Sequence, residues 1–229
     1  MSEDEQVATI SVRDRLVDAA FELFAERGYE QTTVDDIAER AGVGRTTFFR
    51  QYRSKEDVIF PDHDRLVAAV RDRLGTSTES TAIVAVSEAV RLVLLRYVEE
   101  GERARQRYAL TSSVVALRDR EIVSVARYQR LFREFIADWM GSAADAALRA
   151  ELMSAAVVSA HNHVLRRWLR KDSDDPVGEL DAAMSQVTAL FTEAGDASSD
   201  DGSVVVVVRD NRRPNQVAAA VRRALAERP

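Results

Sequence analysis

Arg45, Thr46, Thr47, Arg50 and Gln51 crowd seven consecutive positions with guanidinium forks, short hydroxyls and an amide. These are the groups that hydrogen-bond base edges in a DNA major groove or clasp phosphate oxygens. Phe48 and Tyr52 stand four apart among them, so a short helix over 45–52 turns both rings toward a core and leaves the polar groups outward. Between Glu39 and Glu56 there is no acid, and that window carries Arg40, Arg45, Arg50, Arg53 and Lys55. Residues 1–60 as a whole hold eight Lys/Arg against thirteen Asp/Glu, a balance of 8 − 13 = −5. A basic island inside an acidic domain suits a small, specific DNA footprint with little indiscriminate binding. A solvated basic loop would carry the same charge.

The elements that must position these groups are readable from spacing. Leu16, Ala20 and Phe24 recur every fourth residue, with Val17 and Phe21 on the neighbouring row and Gly28 as a stop, which predicts an amphipathic helix over 12–27. Thr33 ahead of Val34, Asp35 and Asp36 offers a capping hydroxyl and acids for the positive end of a helix running to about Ala41. The turn Gly42-Val43-Gly44 leads into the short helix, and Ser54 is placed to cap a fourth that opens Lys55-Glu56-Asp57. Two short helices across a tight glycine-bearing turn, braced by a longer one, make a helix-turn-helix. A three-helix bundle whose polar face merely meets water has the same pattern.

Composition narrows the function classes. The 229 residues include no cysteine, which excludes disulfides, thiolate metal sites and thiol catalysis. No glycine-rich phosphate loop, nucleophile elbow or metal-spaced histidine–carboxylate cluster is present, so neither an enzyme nor a resident cofactor or metal is expected. The start MSEDEQ is acidic and no run of about 18 apolar residues occurs, so the reading is cytoplasmic with no membrane partner. A net charge of −6 argues against a protein that coats nucleic acid.

The stretch TTVDDIAERAGVGRTTFFRQYRSKEDV, residues 32–58, resembles the signature of TetR-type regulators. The resemblance implies a DNA-binding transcriptional regulator, a repressor released from a palindromic operator by a small-molecule effector. It implies that Thr33 and Lys55 hold phosphates, and that Arg45, Thr46, Thr47 and Gln51 approach base edges or the flanking backbone. Phe49 stands where the family commonly has a phosphate-bonding tyrosine; lacking the hydroxyl, it loses that contact or replaces it by packing on the sugar, with Thr47 or Arg50 placed to supply the missing hydrogen bond. Gly44 replaces a serine-like cap, and Gln51 stands where histidine is frequent. The alternative is a helical interaction protein that keeps the motif without binding DNA.

The expected architecture is all-α: a helix-turn-helix domain over 1–60, a larger helical effector-binding and dimerisation domain over 61–195, and an appendage over 196–229. Helical patterns span roughly 61–74 (continuing the fourth helix), 79–100, 102–118, 120–140, 143–171 and 177–194. An aromatic set including Tyr97, Tyr108, Tyr128, Phe132, His161 and Trp168 could line an effector pocket, although plain core is the commoner fate of such residues. His161 and His163, two apart, point to different faces and share no metal. The small residues Ala155, Ala156 and Ser159, with Leu180, Met184, Val187 and Phe191 on the next helix, suggest a homodimer interface of the final two helices, as the resemblance implies; a monomer core would look alike. RARQRY at 103–108 and HNHVLRRWL at 161–169 are similar to TetR-type sensors of acyl-coenzyme A thioesters, which makes an acyl-CoA-like effector the first to test. Past the polar stretch DASSDDGS, the run Val204 to Val208 is strand-prone and 215–227 has a helical face, which predicts a strand–helix tail.

Overall fold

A computed structural model of the chain describes residues 11–60, 63–142 and 145–192, and every regular element in them is helical. The first four helices are α1 (Val12–Arg27), α2 (Val34–Arg40), α3 (Arg45–Gln51) and α4 (Lys55–Ile59). They enclose one apolar core in which Leu16, Leu23, Ile37, Phe48 and Ile59 are almost wholly buried. Helix α1 starts where the Ser11 hydroxyl accepts the Asp14 N–H, and stops at Gly28, whose positive φ lets its N–H return to the Phe24 carbonyl. Thr33 and Asp36 form a reciprocal capping box at the start of α2. Ser54 holds the N-cap position of α4 with no side-chain cap bond, so the predicted cap there is a matter of backbone geometry only.

Six further helices follow: α5 (His63–Gly75), α6 (Ala82–Glu100), α7 (Glu102–Ser113), α8 (Val115–Met140), α9 (Ala146–Leu169) and α10 (Pro176–Thr192). Their apolar stripes merge into a second core, in which Val70, Val86, Leu94, Ile136, Met153 and Leu180 are the most deeply placed. The apolar stripe of α6 is buried at Val86, Val90 and Val93, with Ile83 and Tyr97 packed at its edge.

Two boundaries differ from the sequence reading. The fourth helix does not run on into 61–74: Phe60 is extended (φ −89°, ψ 141°), as the residue before Pro61 is sterically pressed to be, and α5 begins afresh at His63. The long pair expected at 102–118 and 120–140 breaks instead at Val114 (φ −102°, ψ 115°). No glycine or proline marks that break. Ser113 Oγ turns back onto the carbonyls of Ala109 and Leu110, and Arg118 caps the Ser112 carbonyl, which satisfies the orphan acceptors of α7. The strand and helix predicted beyond residue 196 lie outside the described residues.

Leu117, near the start of α8, is fully buried in the N-terminal core rather than in its own bundle. Arg103 of α7 pairs with Asp18 of α1, and Arg120 of α8 pairs with Asp57 of α4. The helix-turn-helix unit is therefore clamped by α7 and α8 through an apolar knob and two ion pairs.

Candidate nucleic-acid interface and effector cavity

The outward face of α3 is built by what α3 buries. Phe48 is wholly buried and Tyr52 nearly so, their ring centroids 5.9 Å apart, and this fixes the rotation of the helix. Arg45, Thr46, Phe49 and Arg50 then face solvent, with Thr47 and Gln51 half-buried at the margins. Among the described residues, the side chains of Thr46, Thr47, Arg50 and Gln51 make no hydrogen bond within the protein. Arg45 pairs with Asp35 at 2.6 Å and lies 5.1 Å above the Phe49 ring, which is 44% exposed. Phe49 thus acts as a platform for a guanidinium in place of a hydroxyl donor.

The loop before α3 is held from behind. Gly42 takes φ +66° in the turn, and Arg15 of α1 donates from Nε to the Ala41 carbonyl at 3.1 Å and from its terminal nitrogen to the Gly42 carbonyl at 3.2 Å. Lys55 donates to the carbonyls of Tyr29 and Thr32 at 2.9 and 3.2 Å and sits 4.1 Å from the Tyr29 ring centroid. Two of its three ammonium protons are thereby engaged, leaving one. The Thr33 hydroxyl donates to Asp36 at 2.6 Å while accepting the Asp36 N–H, and these bonds hold the Asp36 carboxyl below the usual range. Sequence reasoning missed Arg15. Its four-residue spacing from Ala19 is unremarkable, and only the folded turn brings the carbonyls to it.

Between α6, α8 and α9 lies a partly open cavity of about 60 Å³. Tyr97, Tyr128, Phe132 and His161, four of the six predicted pocket residues, line it together with Phe60, Val90, Val93, Val125 and Leu165. Tyr108 and Trp168 do not reach it. The Tyr108 hydroxyl accepts from Arg170 Nε at 2.9 Å, and Trp168 is buried with the Arg105 guanidinium 4.4 Å from its ring. Burial raises the Tyr97 hydroxyl pKa to about 12, and burial lowers the His161 imidazole to about 4, so both are neutral near pH 7.

Arg107, which the sequence did not single out as a pocket residue, also lines this cavity and is 7% exposed. Its Nε donates to the Ile59 carbonyl at 2.6 Å and its Nη2 pairs with Glu100. An open cleft of about 790 Å³ shares Phe60 and Arg107 with the cavity and is lined by Arg13, Arg65, Arg91, Arg96 and Arg103, with acids between them.

The residues expected at the dimer interface fall into two groups. Leu180, Met184 and Val187 are buried in this chain's own core, because α10 packs along α9 and spends that face internally. Ala155, Ala156 and Phe191 are half-buried, and Ser159 is exposed. The large apolar side chains left outward on these two helices are Leu148, Leu152 and Leu190, the last 69% exposed. Among the described residues no group of three or more His, Asp or Glu side chains could hold a metal ion, and no helix is long and apolar enough to cross a membrane.

Residues 16–60 match the family model for bacterial regulatory proteins of the tetR family, and residues 65–192 match that for the MftR C-terminal domain. The transcriptional regulator TcmR of Streptomyces glaucescens is 34% identical over 71% of this chain and 75% of its own length. The regulator MftR of Mycobacterium tuberculosis is 29% identical over 75% of this chain and 87% of its own. In fold, FadR from Bacillus subtilis, solved with stearoyl-CoA, superposes with a TM-score of 0.54 at 16% identity, covering 76% of this chain and 96% of that one. These relatives are regulators and not enzymes; the chain belongs to the TetR family of DNA-binding transcriptional regulators.

Proposed function

We propose that the chain is a repressor that reads a palindromic operator as a homodimer and is released by a small molecule bound in the C-terminal helical domain. The observation that carries the reading is the rotation of α3: Phe48 and Tyr52 point inward, so Arg45, Thr46, Arg50 and Gln51 are offered together to one groove. Arg45, Thr46, Thr47 and Gln51 meet base edges, with Asp35 and Phe49 holding the Arg45 fork in place. Arg50, the remaining proton of Lys55 and the Thr33 hydroxyl, once turned from Asp36, meet phosphates. One short helix reads only a few base pairs, so a two-fold pair is needed for a full site. The outward Leu148, Leu152, Ala155, Ser159 and Leu190 of α9 and α10 supply the surface for the second copy.

Selection of bound duplexes from a random library by the full-length protein tests this directly. The expected product is an inverted repeat with half-sites about one helical turn apart. Failure to enrich any sequence at moderate salt would leave the interaction-protein alternative. For the effector, an acyl-CoA-like thioester is supported by the shared fold with a stearoyl-CoA-binding protein, and by the arginine-bearing cleft, which suits phosphates. Its test is displacement of the selected duplex by lauroyl-CoA.

A further inference from the structure

Four buried side-chain polar atoms among the described residues have no hydrogen-bond partner in the protein, and two of them, Arg107 Nη1 and His161 Nε2, belong to residues that line the same apolar cavity. Arg107 and His161 are each more than nine-tenths buried. Arg107 presents N–H, so it asks for an acceptor. The Nδ1 of His161 faces the Asn162 side-chain oxygen at 3.2 Å; in the tautomer that donates to this oxygen, the lone pair is on Nε2 and asks for a donor. A group that accepts and donates through one atom is a hydroxyl. The rest of the wall is mostly apolar and aromatic, with Phe60, Tyr97 and Phe132 suited to a flat ring, and it also carries Glu121, Ser124 and Asn162.

We propose that the cavity binds a compact phenol-type molecule, its oxygen accepting from Arg107 and its proton going to His161 Nε2, and that this contact is what reaches the DNA-binding unit. The second half rests on the repressor reading above. The route is short. Arg107 already grips the Ile59 carbonyl at the end of α4, and the next residue, Phe60, is itself part of the cavity wall. At about 60 Å³ the cavity is smaller than the roughly 150 Å³ that accommodates benzene. Entry of a ring must therefore push its walls apart, and one of those walls is Phe60, the residue that directly follows α4. A thioester carbonyl would satisfy Arg107 but carries no proton for His161.

Calorimetry on the full-length protein with 4-methylphenol, toluene and lauroyl-CoA separates the possibilities. Binding of 4-methylphenol at least tenfold tighter than toluene is expected, with that preference falling below threefold in His161→Leu. Val125→Phe, which fills the cavity from a partly buried position, should abolish binding of both ring compounds while leaving the helical circular-dichroism signal unchanged. Equal affinity for toluene and 4-methylphenol, no binding of either, or undiminished binding in Val125→Phe would overturn the ligand assignment. So would tighter binding of lauroyl-CoA that is blocked in Val125→Phe. With the selected duplex, saturating 4-methylphenol should weaken DNA binding at least tenfold in the unmodified protein and less than twofold in Arg107→Lys; equal weakening in both would overturn the coupling. Loss of the phenol result with duplex selection intact refutes this inference alone, whereas phenol binding without duplex selection refutes the repressor reading.

Discussion

The outer face of α3 and the cavity under α6, α8 and α9 both hold polar groups that the protein leaves without partners, yet the two are physically different. On α3 the free side chains of Thr46 and Arg50 are in water, which hydrogen-bonds them at no cost until DNA replaces it. In the cavity, Arg107 Nη1 and His161 Nε2 are shielded, and each such group costs about 1–3 kcal/mol while unmet. The exposed face is thus ready to bind as it stands, and its rigidity is supplied from behind by Arg15 and Lys55 on backbone carbonyls. The buried site is under tension that a matching molecule relieves. A reading surface needs fixed geometry, whereas a sensing site needs a reason to change.

The largest expected effect breaks the rigid half of this contrast. Phe48→Ala empties a fully buried ring position at the base of α3, and truncations of that kind cost about 3–5 kcal/mol. Urea denaturation should show the loss, with duplex binding disappearing before the C-terminal helices melt. A variant that kept its midpoint within 0.5 M of the parent would mean that α3 is not anchored by this ring.

The buried half is tested by pH. His161 has a folded pKa of about 4, below its unfolded value near 6.5, so the unfolded chain binds the extra proton between those limits. Stability is fully present above pH 6.5 and falls as pH drops toward 4, by on the order of 3 kcal/mol. Groups near the imidazole are Asn162, whose oxygen favours protonation, and Arg166, which opposes it, with Glu121, Tyr97 and Arg107 on the same cavity wall. Denaturation midpoints at pH 7 and pH 4.5 should therefore converge in His161→Leu and diverge in the parent. Parallel losses in both proteins would show that His161 is not the group responsible.

Between these two lies the chemistry of the outer face. Gln51→Ala removes an amide placed for a base edge and should cost about 1–3 kcal/mol on the preferred duplex while narrowing the gap to altered ones. Arg50→Ala should instead weaken binding to all duplexes alike and lower the salt slope by about one. Identical profiles for the two variants across altered duplexes and salt would dissolve the division between base and phosphate contacts.

Much of the N-terminal unit is legible in the residues because its determinants are local. The Thr33 cap, the glycine turn and the Phe48/Tyr52 spacing each act within a few positions, and each is where it was expected. The clamp from α7 and α8 is not legible, since Leu117 and Arg103 look like ordinary members of their own helices and find partners about 60 or more positions away. Arg107 was hidden for the same reason: its Ile59 acceptor is a backbone carbonyl, which leaves no mark on residue type. The apolar stripe of α10 reads alike whether its partner is the same chain or another. Leu180, Met184 and Val187 are buried within this chain, where α10 packs along α9, and the outward leucines Leu148, Leu152 and Leu190 were overlooked because they sit singly among polar neighbours.

The smallest effect sharpens the account of the reading surface from its edge. In Thr33→Ala the Asp36 N–H loses its acceptor, Asp36 loses the hydroxyl that holds its carboxyl low, and α2 loses its cap. Replacing such a cap by alanine costs about 1 kcal/mol. Thr33→Ser keeps the oxygen and should restore nearly all of it. Since the same hydroxyl is the proposed phosphate donor, the two roles separate by comparison: stability and duplex affinity should both fall in the alanine variant and both return in the serine variant. Restored stability with duplex affinity still depressed would assign the contact to the threonine methyl instead. Affinity unchanged in the alanine variant, with stability reduced, would confine Thr33 to holding α2 and leave Lys55 and Arg50 as the phosphate donors of this edge.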